Sequence, residues 1–336
     1  MEIHSLSQFK PNGLSFLNLK REHPFDRLPL LYKNKVRREV WDLSKNNSGV
    51  SISFSTNSPF IELRWEVQNN FKMNHMPNSG IKGLDLYTKL NDIWQYVGTG
   101  IPEGKKNSSR IIQNMKQEKR EFKIYLPLYD GIERIHIGLK IGSSLKPIID
   151  HKKSKKPIVF YGTSITQGGC ASRTGISHTN IISRKTNSDC LNFGFSGNGH
   201  LEKDIGNIIS KINAKVFIIE CMQNINEKLI KERLLPLILL IRKKQKSPIV
   251  LITEPEFKNP FLKGNYSNQE LKKNKQLKKE YSILKKMNVK NIFLIDQPNA
   301  LGDDNEATVD GVHFNDLGFM RYANYLIKNL KSFDLL

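Results

Sequence analysis

The sequence is poor in cysteine and lacks long apolar runs, and both shortages exclude whole classes of protein. Three cysteines in 336 residues are too few for a disulfide framework, which agrees with a reducing compartment. No stretch reaches the roughly 18 apolar residues that a membrane-spanning helix requires. The first residues show no basic region followed by an apolar one, so no signal peptide is expected. These absences predict a cytoplasmic protein without a membrane span.

Acidic residues are scarce relative to basic ones. The chain has 53 Lys and Arg against 32 Asp and Glu, a formal net charge of +21. Such an excess is one signature of a nucleic-acid surface, because phosphate contacts need clustered cations. Here the basic residues are scattered along predicted helices and tails, as in 242–246 and 272–279. We interpret the charge as compositional bias or solvated surface, with attraction to an anionic substrate as the alternative, and expect no nucleic-acid partner.

Metal-binding patterns are also missing from the sequence. No spacing of His, Cys and Asp is typical of a metal site, so neither a metal nor another cofactor is predicted. Cys170 lies close to the candidate nucleophile described below, and we interpret it as a packing or loop residue.

The hydrophobic periodicity changes near the middle of the chain. From about residue 10 to 148, short segments alternate apolar and polar residues, as in 50–55 and 61–67, which predicts a β-sandwich. After a polar linker at 152–156, apolar strands alternate with helical segments, which predicts a parallel sheet with helices on both faces. We therefore predict a β-sandwich domain over 1–150 and an α/β domain over 151–336.

Two separated motifs carry the candidate chemistry. The apolar run 157–161 ends in Gly162-Thr163-Ser164 and further glycines, which is how a buried strand delivers a hydroxyl to a sheet edge. Far downstream, Asp310 and His313 lie three residues apart. A serine becomes a nucleophile when a base takes its proton and a third group orients that base. Ser164, His313 and Asp310 supply these residue types, although each motif alone is also typical of a tight turn or a helix cap.

Two further strand ends supply hydrogen-bond donors for an oxyanion. One strand runs into the glycine-rich turn that contains Gly197, and the next ends just before Asn224. Gly197 permits close backbone approach, and Asn224 offers an amide NH2. In a parallel sheet these turns share one edge with Ser164, whose own backbone N–H is a third candidate donor.

The ordered set of Gly-x-Ser, Ser-Gly-Asn, a strand-end Asn and Asp-x-x-His resembles the SGNH (GDSL-type) hydrolase family. Residues 83–87, Gly-Leu-Asp-Leu-Tyr, resemble the GxDLY segment of an N-terminal β-domain fused to one branch of these esterases. The resemblance implies a flavodoxin-like three-layer α/β/α domain after that β-domain. It also implies the triad Ser164, His313 and Asp310 with the oxyanion donors Ser164, Gly197 and Asn224. One departure is the segment 220–224, where the family usually has Asp-x-x-Pro-Asn.

The function implied is a serine esterase that removes short acyl groups, most often acetyl, from a small-molecule or oligosaccharide ester through an acyl-enzyme. A lysophospholipase, thioesterase or acyltransferase uses the same machinery, and a non-catalytic carbohydrate-binding protein is a further alternative. Arg173 and His75 are candidate substrate-binding residues, with loop anchoring and a structural role as their alternatives. A homo-oligomer is compatible with all of these.

Overall fold

The first half of the chain folds into two antiparallel sheets in the computed structural model, which describes residues 1–148, 156–255 and 267–336. The strands are β1 Glu2–Ser5, β2 Ser51–Thr56, β3 Ile61–Val67, β4 Leu84–Leu90, β5 Ile93–Gly100, β6 Lys106–Ile112, β7 Arg120–Tyr125, β8 Ile132–Leu139 and β9 Leu145–Pro147. One sheet has the order β1-β8-β3-β6 and the other β5-β4-β7-β2-β9. Two short helices, α1 Arg38–Leu43 and α2 Asn78–Ile81, lie between strands.

The two sheets enclose one apolar core, as the alternating sequence pattern predicts. Leu63 and Trp65 point inward from β3, and Ile52 and Phe54 point inward from β2 of the opposite sheet; all four are almost completely buried in one cluster. Burial of one side of each sheet is the arrangement of a sandwich. The predicted β-sandwich is therefore confirmed.

The second half is built on a five-stranded parallel sheet of order β11-β10-β12-β13-β14. Its strands are β10 Ile158–Gly162, β11 Cys190–Gly194, β12 Val216–Glu220, β13 Ile249–Ile252 and β14 Ile292–Ile295. Strand β10 pairs with β11 on one side and β12 on the other, with Gly162 opposite both Gly194 and Glu220. The three strands thus end level with one another, and the turns that follow them meet at one edge.

Helices cover both faces of this sheet. They are α3 Ser164–Gln167, α4 His178–Thr186, α5 Lys203–Ile209, α6 Glu227–Arg242, α7 Ser267–Lys286 and α8 Asp316–Ser332. Residues of α4 and α8 share a core with Ile158 and Phe160, whereas residues of α5, α6 and α7 share another with Val159 and Tyr161. Alternate residues of β10 thus face opposite helical layers, which confirms the three-layer α/β/α prediction. No helix in the described parts of the chain is long and apolar enough to cross a bilayer.

The N-terminal segment contacts both halves of the protein. Leu28, Tyr32, Val40 and Trp41 belong to the same apolar core as α5 and α6, although they precede most of the sandwich in sequence. The proposed boundary at residues 150 and 151, and residues 152–155 of the predicted linker, lie outside the described residues. A part of the first 150 residues thus completes the core of the second half.

Candidate active site

Ser164 lies on a tight turn at the end of β10. Thr163 caps the one-turn helix α3, since its hydroxyl accepts a hydrogen bond from the N–H of Ile165 (3.4 Å). Gly168 ends that helix in the left-handed region, with φ of +103°, where glycine has no steric penalty. The N–H groups of Gly168 and Gly169 then donate to the carbonyl of Ser164 (2.9 and 2.8 Å). This turn holds the serine hydroxyl at the sheet edge.

A chain of two hydrogen bonds joins Ser164, His313 and Asp310. Ser164 Oγ lies 2.9 Å from His313 Nε2, and His313 Nδ1 lies 2.7 Å from Asp310 Oδ2. The carboxylate only accepts, so Nδ1 carries a proton toward Asp310, and Nε2 is the nitrogen that faces the serine hydroxyl. The structure therefore brings together the three side chains that the sequence placed in one group.

Asp310 is held in its charged form by a local hydrogen-bonded loop. Its Oδ1 accepts from the backbone N–H groups of Val312 (3.0 Å) and His313 (2.8 Å). Partial burial acts to raise the pKa of this carboxyl, but these hydrogen bonds and that of the His313 ring lower it to about 2. The loop is closed by Asn315, which caps α8 by accepting from the N–H of Gly318 (3.0 Å).

The turns that carry the predicted oxyanion donors flank the Ser164 turn on both sides. Gly197 has φ of +66°, and a Cβ placed on it would meet no heavy atom within 4 Å, so open space adjoins its backbone. Asn224 accepts a hydrogen bond at Oδ1 from the N–H of Gly199 (3.1 Å). That bond engages the oxygen of the amide and leaves its NH2 as the donor. Gly199 in turn packs against the end of β10, where a Cβ would lie 2.5 Å from the carbonyl oxygen of Gly162.

A buried carboxylate behind α3 was not identified from the sequence. Glu220, at the end of β12, accepts hydrogen bonds from the hydroxyl of Thr166, from His178 Nε2 (3.0 Å) and from the hydroxyl of Tyr322 (2.7 Å). Burial would raise the pKa of Glu220, yet His178 and the two hydroxyls lower it below its ordinary value. The Glu220 carboxylate therefore ties the helix that carries Ser164 to α4 and α8. The signal available in the sequence was a charged residue ending an otherwise apolar strand.

The GxDLY segment contacts the loop that follows the serine. Asp85, fully buried on β4, accepts from Arg173 Nη1 (2.6 Å), from the N–H of Gly175 (2.8 Å) and from the hydroxyl of Thr99 (2.6 Å). The guanidinium also lies 4.0 Å from the ring centroid of Tyr96. Arg173 thus anchors its own loop. Loop anchoring is the alternative to substrate binding that the sequence analysis gave for this residue.

Two other residues of the first half donate hydrogen bonds to backbone carbonyls beside the sheet edge that carries Ser164. Arg27, fully buried, donates to the carbonyls of Asn192 (3.0 Å) and Gly194 (2.7 Å) at the end of β11, and its desolvation lowers its pKa to about 9. Ser48 donates to the carbonyl of Gln167 at the end of α3 (2.5 Å). Isolated polar residues among strands and loops carry no sequence pattern, so these supports were not predicted.

His75 and Cys170 both lie beside His313. The ring centroids of His75 and His313 are 5.7 Å apart, with 55° between the ring planes. His75, in the loop between β3 and α2, is thus the candidate substrate-binding residue that reaches the second half of the chain at the triad. Cys170 is a buried loop residue, as expected, and one N-terminal neighbour, Gly169, packs against the His313 ring.

This arrangement is suited to nucleophilic acyl transfer. A hydroxyl, an imidazole and an ionised carboxylate are aligned by hydrogen bonds, and amide donors lie in the turns on either side. The same geometry serves hydrolysis or transfer to an alcohol, depending on which acceptor reaches the acyl-enzyme.

Comparison with known families and structures gives the same architecture. Residues 155–331 match the GDSL-like lipase/acylhydrolase family, and residues 7–145 match GxDLY, the N-terminus of the SGNH-hydrolase type of esterase. Among curated proteins, none matches this chain.

Solved structures resemble the protein over nearly its full length. A GDSL-like lipase from Bacteroides ovatus is 32% identical, with a TM-score of 0.92 over 98% of this chain and 97% of its own. A salicylyl-acyltransferase from a tetracycline biosynthetic pathway shares the fold at 17% identity, with a TM-score of 0.79 over 100% and 98% of the two chains. A family two carbohydrate esterase from Clostridium thermocellum, in complex with cellohexaose, shares it at 11% identity and a TM-score of 0.59 over 85% and 93%. With both of its halves matched in order, the chain belongs to the GDSL-like lipase/acylhydrolase family, in the form that carries a GxDLY N-terminus.

Proposed function

We propose that this protein is a serine esterase that removes short acyl groups, with acetyl preferred, from carbohydrates. The observation that carries the proposal is the hydrogen-bonded chain Ser164–His313–Asp310 at the edge of the parallel sheet. His313 takes the proton of Ser164 as its oxygen attacks the ester carbonyl, and returns it to the leaving alcohol. A water then releases the acid from Ser164 with His313 again acting as base.

The surroundings of Ser164 favour a small acyl group. Its side chain is only 6% exposed, and His75 and Cys170 crowd the His313 side of the site. The carbohydrate part of the proposal is supported by fold alone, since a carbohydrate esterase of the same fold has been solved with cellohexaose.

A panel of p-nitrophenyl esters tests the acyl specificity. We expect kcat/KM to be highest for the acetate and to fall by about tenfold or more at the butyrate, because a pocket that fits acetyl discriminates against each added methylene by about 10–200-fold. Acetylated cello- and xylo-oligosaccharides, assayed for released acetate, test the alcohol side. A preference for long acyl chains would contradict the proposal and favour a lysophospholipase. With glycerol added as an acceptor alcohol, acylated glycerol as the main product would favour an acyltransferase.

A variant at Asn224 tests the oxyanion hole. Asn224→Ala is expected to lower kcat by about 10²–10³-fold with little change in KM, because the lost NH2 bonds the oxyanion rather than the ground-state ester. Asn226→Ala is a matched control, since Asn226 only caps α6 by accepting from the N–H of Leu229 (3.0 Å). A higher KM with an unchanged kcat in Asn224→Ala would show a substrate contact and no oxyanion role.

A further inference from the structure

Three side chains with metal-binding atoms converge beside the candidate nucleophile. His75, Cys170 and His313 each present one ligand atom, and these atoms all lie within 4.8 Å of one another. They come from three separate segments: the loop before α2, the loop after α3 and the loop before α8. This separation is why no spacing in the sequence predicted a metal site.

Each histidine has an oxygen at its Nδ1, which leaves Nε2 as the nitrogen that faces a metal. His75 Nδ1 lies 2.8 Å from Asn74 Oδ1, and His313 Nδ1 lies 2.7 Å from Asp310 Oδ2. An acceptor oxygen at each Nδ1 favours the tautomer with its proton on that nitrogen, in which Nε2 is free to bind a metal. Outer partners of this kind, carboxylate or amide oxygen, orient histidine ligands in established metal sites.

Cys170 is presented to the histidines by an unusual backbone. It adopts φ of +72°, a left-handed conformation that is strained for a residue with a Cβ and that clusters at functional sites. Its thiol is buried and forms no disulfide. A bound metal replaces the thiol proton, because metals bind cysteine as the thiolate.

The donor set matches zinc in chemistry, and its ligand atoms lie farther apart than in a closed zinc site. Zinc takes thiolate sulfur at about 2.3 Å and imidazole nitrogen at about 2.0–2.1 Å, so ligand atoms of a tetrahedral site lie about 3.3–3.6 Å apart. Separations of up to 4.8 Å therefore have to shorten by up to about 1.2–1.5 Å on binding, which requires the half-buried His75 and His313 side chains to rotate toward Cys170. Three protein ligands leave a fourth position for water.

We propose that His75, Cys170 and His313 form an inhibitory site for zinc or a similar thiophilic divalent cation. Binding releases the Cys170 proton to solvent and places the metal on His313 Nε2, the atom that lies 2.9 Å from Ser164 Oγ. The imidazole then has no lone pair with which to accept the serine proton. The metal site itself is independent of the proposed function, whereas the inhibition depends on it.

Zinc titration of untagged, chelator-treated protein tests the binding. We expect one zinc per chain by calorimetry, and with cobalt as probe a thiolate-to-metal charge-transfer band. Ser164→Ala keeps all three ligands, so it should bind zinc equally well even if the proposed reaction is wrong. Loss of a residue that only orients a metal ligand lowers metal affinity by about 10–100-fold. Cys170→Ser and His75→Gln each remove a ligand itself, so each should weaken zinc binding by more than that. Cys221→Ser, at a buried cysteine in the turn after β12, is the matched control and should bind as the wild type does.

Activity on p-nitrophenyl acetate tests the inhibition. Zinc should abolish wild-type turnover, chelator should restore it, and the zinc needed should rise in Cys170→Ser and His75→Gln, each measured against its own zinc-free rate. Absence of zinc binding to both wild type and Ser164→Ala would overturn the site, as would binding that neither ligand variant weakens in folded protein. Stimulation by zinc would overturn the inhibitory role.

Discussion

Replacing Ser164 with alanine is expected to lower kcat for p-nitrophenyl acetate by about 10⁶-fold, the scale of loss when the nucleophile of a hydrogen-bonded triad is removed. The reason is geometric. Ser164 Oγ is the atom within 2.9 Å of the lone pair of His313 Nε2, and without it the imidazole has no proton to take and the acyl group has no acceptor on the protein. The oxyanion donors and the substrate contacts remain, so substrate still binds.

The measurement is single-turnover and steady-state hydrolysis beside mass spectrometry after treatment with a fluorophosphonate. Wild type should gain one covalent adduct, and Ser164→Ala none. Ser210→Ala is the matched control, because this buried serine bonds only locally, to the carbonyl of Asn207 (3.1 Å), at the end of α5. Turnover by Ser164→Ala at the wild-type rate would refute the mechanism, and a wild type that takes no adduct would revive the non-catalytic alternative.

Asp310→Asn is expected to lower kcat by about 10⁴-fold while leaving the fold intact. The backbone N–H groups of Val312 and His313 both donate to Oδ1, so the asparagine oxygen takes that position and its NH2 faces His313 Nδ1. An NH2 can meet only a lone pair. The ring proton must then move to Nε2, which turns the wrong tautomer toward Ser164.

The rate of this variant is measured across pH against Asp304→Asn. Asp304 lies in the same loop and pairs with Arg321 (2.7 Å) in a largely exposed contact, so its loss should leave kcat unchanged and stability nearly so. The pKa of Asp310 in the wild type is about 2, below the ordinary value of about 3.9. Its carboxylate therefore stabilises the native state fully at pH values above about 3.9. This contribution disappears as pH falls through about 2, so Asp310 itself does not limit activity in mild acid. Equal rates for both variants would exclude an orienting role for Asp310.

The sequence was a good guide wherever function follows from the end of an apolar strand. β10, β11 and β12 were readable as buried runs, and their register places Ser164, Gly197 and Asn224 in neighbouring turns. Asn315 and Asp316 are both residue types that cap helices, and a cap at either one puts His313 in the loop before α8. In the sandwich, β5 was not predicted, because seven of its eight residues are exposed or only partly buried and it lacks a regular alternation of apolar and polar residues.

The buried polar residues that hold the site in place could not be predicted from the sequence. Glu220 and Arg27 are buried polar groups whose partners lie far away in sequence, such as Tyr322 and Gly194. Sequence periodicity reports which side of an element is apolar, but it does not report which distant polar group meets another. The convergence of His75, Cys170 and His313 is hidden in the same way.

The ion pair between Asp85 and Arg173 couples the two halves of the chain. Asp85 is the Asp of the GxDLY segment on β4. It holds the loop that begins a few residues after Ser164, through Arg173 and the N–H of Gly175. A gene fragment encoding the second half alone would carry the whole triad into a new protein but leave the Arg173 charge and the Gly175 N–H without their acceptor. The β-domain is thus not an accessory that recombination can exchange freely, and substitutions at the two positions are expected to be inherited together.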